Sequence, residues 1–153
     1  FYLHFVQNQT KTNEKFWQQN TSAQPVVTWR GFAFENVCFN HIDQIKAALG
    51  ITGVISSNSA WSKKSDDEAG TQIDLLIHRN DNVINMCEIK FLSEDFKVDK
   101  NYYKVLLGKP ERLREFVSPK ISIYSTLITT FGLKYNEYSG VFTNVITMED
   151  LFA

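Results

Sequence analysis

Three side chains near the middle of the sequence have the types and the spacing of a site for phosphate chemistry. Asp74 lies in one apolar run, and Glu88 and Lys90 lie in the next run, after an Asn/Asp-rich joint at residues 80–82. Carboxylates suit Mg²⁺, which takes oxygen ligands, keeps several waters and is commonly held by one or two acidic side chains. A lysine beside such an ion can place or deprotonate a water, or stabilise charge that develops on a phosphate.

Two strands joined by a tight turn would bring these side chains together. The runs at 71–78 and 83–91 flank the Asn/Asp-rich joint, which is typical of a β-hairpin turn. Side chains alternate along a strand, and the odd-numbered positions are apolar except Asn85, so we expect that face to lie on the core. A turn centred on Asp81 pairs residues whose numbers sum to 162. This register predicts three pairs on the other face: Asp74 with Glu88, Gln72 with Lys90, and Leu76 with Met86.

The predicted register sets two carboxylates opposite each other, which is unfavourable unless something neutralises them. Opposed like charges on a sheet cost from a few tenths of a kcal/mol to about 1 kcal/mol, and burial raises that cost or forces one group to protonate. A divalent cation would remove the conflict between Asp74 and Glu88. The alternative is that Asp74, Glu88 and Lys90 form a charged cluster at a solvated strand end.

A further acid, Glu35, bears on this choice. It precedes Cys38 by three residues and so extends an apolar helical stripe, formed by Cys38, Ile42, Ile45 and Leu49. An acid on a stripe that faces the core is costly unless it is paired or binds a metal. The alternative is that Glu35 lies in the first turn of its helix, where acidic side chains favour the helix dipole.

The remaining pattern predicts a mixed α/β layer fold with one core. We expect a helix over residues 31–49 that Gly50 ends, a strand over 54–64, and a helix over 98–117 that Gly108 and Pro110 kink or break. A strand over 121–130, a short strand over 141–147 and a helical turn over 148–152 follow. A charged loop spans 65–70, and its acids, at 66–68, could assist a metal or simply be solvated. Residues 1–25 are expected to be an N-terminal segment and connector, with a short helix around 13–19.

A basic stretch follows the hairpin. Seven basic and three acidic side chains between residues 97 and 120 give it a net charge of +4, against −1 for the whole chain. The stretch could grip phosphates beside the acidic site, with Tyr102 and Tyr103 stacking on bases; the alternative is an ordinary solvated helix face. The residues expected to bind nucleic acid are Lys100, Lys104, Lys109 and Arg112.

Length and composition agree with one ordinary globular domain. The chain has 153 residues, of which 43% are hydrophobic and 22% charged. A net charge of −1 argues against binding nucleic acid by bulk charge alone, and no apolar run approaches the length of a membrane span. Cys38 and Cys87 lie among apolar neighbours, which predicts reduced core cysteines in a cytoplasmic protein.

The motifs around these residues resemble those of the PD-(D/E)XK nuclease superfamily: Phe34–Glu35 on a first helix, GTQID at 70–74 on a strand, and EIK at 88–90 on the next. More narrowly, residues 26–153 look like the C-terminal domain of archaeal-type P-loop ATPases. WRGFAFE at 29–35, Lys90–Phe91, ITTFGLK at 128–134 and VITMEDLF at 145–152 carry that likeness. Residues 1–6 look like the segment that follows a winged-helix region in that family.

The resemblance implies a restriction-endonuclease-like αβββαβ core, a mixed sheet flanked by helices, and Mg²⁺- or Mn²⁺-dependent hydrolysis of phosphodiester bonds. Asp74 and Glu88 would be the metal ligands and catalytic residues, Lys90 the catalytic lysine, and Glu35 an accessory catalytic acid. The implied partners are nucleic acid, with DNA expected first, and upstream P-loop ATPase and winged-helix regions of the same polypeptide, with no membrane.

Two features weigh against a simple transfer of that activity. Ile73 occupies the place where the superfamily motif has a proline before the aspartate, and many members of this ATPase-linked group have no established activity. The alternative function is therefore a catalytically inactive regulatory or docking module of the ATPase. The sequence has no G-x-x-x-x-G-K-[ST] phosphate loop, so an ATPase would have to lie outside it.

Overall fold

The computed structural model describes residues 21–63 and 70–153, which form an α/β fold built on one five-stranded mixed sheet. The elements in chain order are helices α1 (Gln24–Asn40) and α2 (Ile42–Ala48), strands β1 (Ser56–Lys63), β2 (Thr71–Arg79) and β3 (Val83–Lys90), helix α3 (Lys100–Arg114), strands β4 (Ser122–Thr129) and β5 (Asn144–Thr147), and helix α4 (Met148–Leu151). This order contains the predicted αβββαβ core. The helix expected around 13–19 and the acidic loop residues 66–68 lie outside the described residues.

The sheet has the spatial order β1-β2-β3-β4-β5, which makes β3 its central strand. Strands β1, β2 and β3 pair antiparallel, whereas β3, β4 and β5 pair parallel. Because β3 and β4 run in the same direction, the chain must cross over between them, and α3 lies in that connection. Strand β3 is consequently buried from Ile84 to Ile89, so the strand that carries Glu88 and Lys90 is held by neighbours on both sides.

The helix predicted over residues 31–49 is in fact two helices, which meet at His41. The His41 backbone leaves helical geometry, with φ −119° and ψ 33°. Its backbone N–H donates to the Cys38 carbonyl, and its ring Nδ1 lies 2.7 Å from the Val37 carbonyl, the acceptor that a continuous helix would use. The predicted stripe survives the break, because Cys38 and Ile45 are both fully buried. Gly50 has φ +71°, which confirms that it ends the second helix.

The sheet buries a separate apolar cluster on each face. The predicted odd-numbered face packs against α1 and α2: Leu75, Ile77, Cys87 and Ile89 share a cluster with Phe34, Cys38 and Ile45. Both cysteines are free and buried. Leu76, Ile84 and Met86 pack on the other face with Leu113 of α3. Asn85, the polar member of the odd face, is also buried, and its side chain contacts Arg79 and Thr126.

The hairpin between β2 and β3 has the predicted turn and register, but its ladder is shorter than expected. Asn82 has φ +62° in the turn, and pairs from His78–Ile84 to Leu75–Cys87 follow the predicted sum of 162. The pairs expected between Asp74 and Glu88, and between Gln72 and Lys90, are absent from this ladder. The cause is a bulge against β1: one residue, Ala60, lies between Ser59↔Leu76 and Trp61↔Ile73, whereas β2 has two there, Asp74 and Leu75.

The bulge also changes the face to which the start of β2 belongs. Ile73, which was predicted to join the odd-numbered face, packs instead with Leu76, Ile84 and Met86. An extra residue in one strand reverses the alternation of side chains beyond it. Asp74 therefore lies where β2 changes face and separates from β3.

Helix α3 is continuous from Lys100 to Arg114, although Pro110 lies inside it. Asp99 caps its N-terminus by accepting a hydrogen bond from the Tyr102 backbone N–H at 2.8 Å. The helix continues through Pro110, so the predicted break is wrong, whereas the predicted kink stays a prediction. The Asp99 cap and buried Leu106 stabilise the turns that precede Pro110. Among the described residues, no helix has both the length and the apolar character needed to cross a membrane.

Candidate functional site

Asp74 bridges the gap that opens between β2 and β3. Its Oδ2 accepts a hydrogen bond of 2.9 Å from the Ile89 backbone N–H, so a side chain takes a place that strand pairing leaves open. Within residues 21–63 and 70–153, the structure shows no hydrogen bond or ion pair to the other oxygen, Oδ1. Asp74 therefore has one oxygen fixed on the backbone of β3 and one available for a ligand.

Glu88 is the most buried acid of the site, with 5% of its surface exposed. Its Oε1 accepts from the Tyr102 hydroxyl and lies 2.9 Å from Lys90 Nζ, and its Oε2 accepts from Lys109 Nζ. Burial alone would raise the pKa of Glu88, but the ammonium groups of Lys90 and Lys109 outweigh it and hold the pKa below its ordinary value. Glu88 is therefore an ionised carboxylate at neutral pH.

Lys90 is partly exposed to solvent, whereas the Glu88 carboxylate that it contacts is buried. About a third of its side chain is exposed, and its Nζ lies 5.3 Å from the centre of the Tyr102 ring. Burial opposes the charge on Lys90, but the Glu88 carboxylate prevails and raises the pKa of Lys90 above its ordinary value. Burial and Glu88 together raise the pKa of the Tyr102 hydroxyl as well. Both groups consequently keep their protons at neutral pH and act as donors.

Asp74 and Glu35 are in the opposite electrostatic situation. Burial, and then repulsion from Glu88, raises the pKa of Asp74, despite the Ile89 hydrogen bond and the two lysines. Burial, and then repulsion from Asp74, raises the pKa of Glu35. Glu35 is half-buried on α1 beside Phe34, and the part of the chain that is described offers it no hydrogen-bond or ion-pair partner. Over residues 21–63 and 70–153, Asp74 and Glu35 thus have no cationic side chain in direct contact.

These side chains share one cleft of about 570 Å³ between α1, the start of β2 and α3. Its acidic side is formed by Glu35, Asp74 and Glu88, and the prediction that Glu35 reaches the site from the first helix agrees with this position. The other side belongs to α3. The α3 residues that line the cleft are Tyr102, Lys104, Val105, Gly108, Lys109 and Arg112.

The four residues predicted to bind nucleic acid occupy three different environments. Lys104 is exposed and Arg112 half-buried, and both line the cleft. Lys100 is exposed at the start of α3 but is not among the lining residues. Lys109 is 9% exposed and its Nζ is bound to Glu88, so it is part of the acidic cluster rather than of a solvent-facing basic surface.

The donor set fits a Mg²⁺ ion held by few protein ligands and several waters. No group of three His, Cys, Asp or Glu side chains able to hold a metal occurs in the described ranges, but Mg²⁺ needs only one or two carboxylates. Asp74 Oδ1 is available, and burial, followed by repulsion from Glu88, raises the pKa of Asp74; a bound cation would favour its ionised form. An ionised carboxylate has about four acceptor positions, and Glu88 uses three of them, so one remains for the ion.

Sequence reasoning missed the roles of Tyr102 and Lys109 at Glu88. The role expected for Tyr102 is stacking on bases, whereas in the structure its ring packs against Phe96 and its hydroxyl donates to Glu88. Lys109 is three residues after Leu106 and four before Leu113, both buried. That spacing puts the three on one face of the helix and was the available signal that Lys109 faces inward.

Comparison with known proteins gives little more. A scan against family models finds no match, and a search of curated proteins finds none. A search of solved structures finds a likeness to the crystal structure of the protein of unknown function AF1548, with a TM-score of 0.49 and 12% sequence identity. The alignment covers 75% of this chain and 64% of that one, so this chain spans less than two thirds of its neighbour's length. A likeness at this level carries no argument about function.

Proposed function

We propose that this domain hydrolyses phosphodiester bonds of nucleic acid with the help of Mg²⁺ or Mn²⁺. The observation that carries the proposal is that Asp74, Glu88, Lys90 and Glu35 line one cleft, with Asp74 Oδ1 available for a ligand. The resemblance of the surrounding motifs to PD-(D/E)XK nucleases supports the same assignment. It also supports a place for the domain after the P-loop ATPase and winged-helix regions of a longer polypeptide.

Each side chain of the cleft has its own chemical role in this proposal. A bound Mg²⁺ on Asp74 and Glu88 would polarise the scissile phosphate and lower the pKa of a coordinated water. Lys90 is protonated at neutral pH because Glu88 raises its pKa, so it orients the water and stabilises phosphate charge rather than taking a proton. Glu35, whose pKa burial and Asp74 raise above its ordinary value, would accept the proton from the water.

The α3 side of the cleft supplies the contacts to the substrate backbone. Lys104 and Arg112 line the cleft across from the acids, where they can hold phosphates on either side of the scissile bond. The whole chain has a net charge of only −1, so substrate affinity must come from this local set of cations and from the metal rather than from bulk charge.

A specific observation favours the second candidate, a regulatory or docking module of the ATPase. Glu88 is bound by Lys90, Lys109 and Tyr102. This set neutralises a buried carboxylate without any metal, as a purely structural network would. In such a module, the role of Asp74 would be to accept the hydrogen bond from the Ile89 backbone N–H.

The two candidates are separated by a cleavage and metal-binding experiment. The domain, and the longest available polypeptide that contains it, would be incubated with plasmid, single-stranded DNA and RNA in the presence of Mg²⁺ or Mn²⁺. Asp74→Ala is the control, and Mn²⁺ binding would be measured by calorimetry. We expect cleavage by the wild type and its loss in Asp74→Ala, together with Mn²⁺ binding that the variant lacks. Equal inactivity and no metal binding by either would support the docking module.

A further inference from the structure

We propose that Lys109, which sequence reasoning assigned to phosphate binding, is a positioning residue that holds the Glu88 carboxylate from α3 and leaves Lys90 available to the substrate. This inference deepens the proposed function and rests on it for its catalytic consequence. The contact on which it depends, between Lys109 Nζ and Glu88 Oε2, is present whatever the domain does.

The burial of Lys109 is the first argument. Lysine is almost never fully buried unless it is paired, yet Lys109 is 9% exposed and is flanked on its helix face by buried Leu106 and Leu113. Its hydrogen-bond partner there is Glu88, itself 5% exposed. A phosphate in the cleft would have to displace an ion pair that is nearly closed to solvent, which makes Lys109 a poor substrate contact.

The two lysines bind different oxygens of the Glu88 carboxylate. Lys109 binds Oε2, and Lys90 lies 2.9 Å from Oε1, which it shares with the Tyr102 hydroxyl. Lys109 thus neutralises Glu88 from one oxygen without occupying the other, on which Lys90 lies. Because the Lys90 side chain is a third exposed and the Lys109 side chain only 11%, Lys90 is the ammonium group of this pair that a substrate can reach.

The charged and titratable groups around Glu88 come from every element packed on the site. They are Glu35 on α1, Asp74 on β2, Lys90 on β3, and Tyr102 and Lys109 on α3. Of the two cations in this set, Lys109 is the more buried, so its loss would be compensated least by solvent. We expect its removal to make the Glu88 carboxyl harder to ionise and free to move away from the metal position.

The test is a carbon-detected NMR titration of the Glu88 carboxyl in the wild type, Lys109→Gln, Lys109→Arg and Lys104→Gln. An opposite charge at this distance shifts a carboxyl by about one pH unit or more, so the Glu88 midpoint should rise by that amount in Lys109→Gln. It should stay near the wild-type value in Lys109→Arg, which keeps the charge, and in Lys104→Gln, which removes an exposed charge from the same helix. An unchanged midpoint in Lys109→Gln would overturn the proposal.

A second variant keeps the test decisive if Lys109→Gln does not fold. In Lys90→Gln, Lys109 remains on Glu88, so the Glu88 midpoint should still lie below the ordinary glutamate value of about 4.3. A midpoint at or above that value would show that Lys90 is the partner that matters, which is the opposite of the proposal.

The catalytic consequence is measured separately. If the wild type cleaves nucleic acid, the acid limb of its pH–rate profile should move to higher pH in Lys109→Gln and return in Lys109→Arg, whereas a loss of folded protein would lower the rate equally at every pH. A profile that keeps its shape would contradict the positioning role. If the wild type neither cleaves nor binds Mn²⁺, the proposed function fails, while the Glu88 titration still decides whether Lys109 holds the carboxylate.

Discussion

Asp74 and Glu88 lie on neighbouring strands in one cleft, yet their surroundings act on them in opposite directions. Glu88 has two lysines and a tyrosine hydroxyl within contact, and its pKa falls below the ordinary value even though burial opposes ionisation. Asp74 accepts from a backbone N–H but contacts no ammonium group among the residues that the structure describes, and burial together with Glu88 raises its pKa. The first acid is part of a satisfied network, and the second is an acid whose charge the fold disfavours.

Asp74→Asn should therefore stabilise the metal-free protein at pH 7, by on the order of 1 kcal/mol. An amide can keep the hydrogen bond from Ile89 and carries no charge. Because the folded-state pKa of Asp74 is raised, its contribution to stability is full at low pH and is lost as the pH rises through that pKa. The gain should consequently disappear in acid. Urea unfolding across a pH series measures this gain in the free energy of unfolding. A less stable Asp74→Asn at pH 7 would contradict the raised pKa of Asp74.

Glu88→Gln should have the opposite effect, with a cost of about 3 kcal/mol at pH 7, because it leaves Lys109 buried without an anion. The pKa of Glu88 is lowered in the folded state, so the stabilisation is present above the unfolded value and is lost as the pH falls through the folded value. The difference in the free energy of unfolding between the wild type and Glu88→Gln should thus become smaller in acid. Urea unfolding of both proteins over the same pH range measures this difference. A change in the free energy of unfolding of less than about 0.5 kcal/mol, as for a surface substitution, would contradict a buried ion pair.

The helices and strands show which parts of this fold follow from sequence pattern and which do not. Periodicity located β2, β3, β4 and the buried stripe of the first helices, because those signals depend on neighbouring residues alone. It could not show the break at His41, where a side chain competes for the Val37 carbonyl, or the bulge at Asp74 and Leu75, which depends on pairing with distant β1. Asp74, Glu88 and Lys90 could be predicted as a group because one short turn joins their strands, and Glu35 could be added because it extends the apolar stripe of its helix. The partner of Lys109 lies on a different element and could not be predicted.

Helix α3 offers a test at the level of one element. Pro110 removes a backbone donor inside the helix, and its ring crowds the carbonyl of Leu106, one turn earlier. Pro110→Ala should restore that hydrogen bond and raise the free energy of unfolding by about 1–3 kcal/mol. Chemical denaturation measures the gain. Glu111→Ala, at the exposed next position, is the matched control and should change stability by less than about 0.5 kcal/mol; a destabilised Pro110→Ala would show that the proline fits a bend that the site needs.

Charge is distributed unevenly over the whole molecule. The stretch from 97 to 120 has a net charge of +4, so the rest of the chain carries −5. Because α3 and the acidic cluster line opposite sides of one cleft, charges of both signs face each other there. If the domain acts on nucleic acid, as proposed, the cations of α3 would have to bind it locally, because the net charge of the chain is close to zero.

Lys104→Gln should weaken binding to single-stranded or duplex DNA about equally for different sequences. It should also reduce the slope of log affinity against log salt by about 1, as expected for the loss of one phosphate contact. Fluorescence anisotropy over a salt series, with EDTA present to prevent cleavage, measures both effects. Lys134→Gln removes an equally exposed charge outside the cleft and should leave the slope unchanged. Equal salt slopes for the wild type, Lys104→Gln and Lys134→Gln would show that Lys104 makes no phosphate contact.

The hydrogen bond from the Ile89 N–H to Asp74 has a practical consequence. An amide proton that points at a carboxylate oxygen changes its resonance frequency when that carboxylate gains a proton or a ligand. Because Ile89 lies in the central strand between Glu88 and Lys90, its amide signal is a built-in spectroscopic reporter of the cleft. A single backbone resonance could thus follow occupancy and protonation of the site without any label on the substrate.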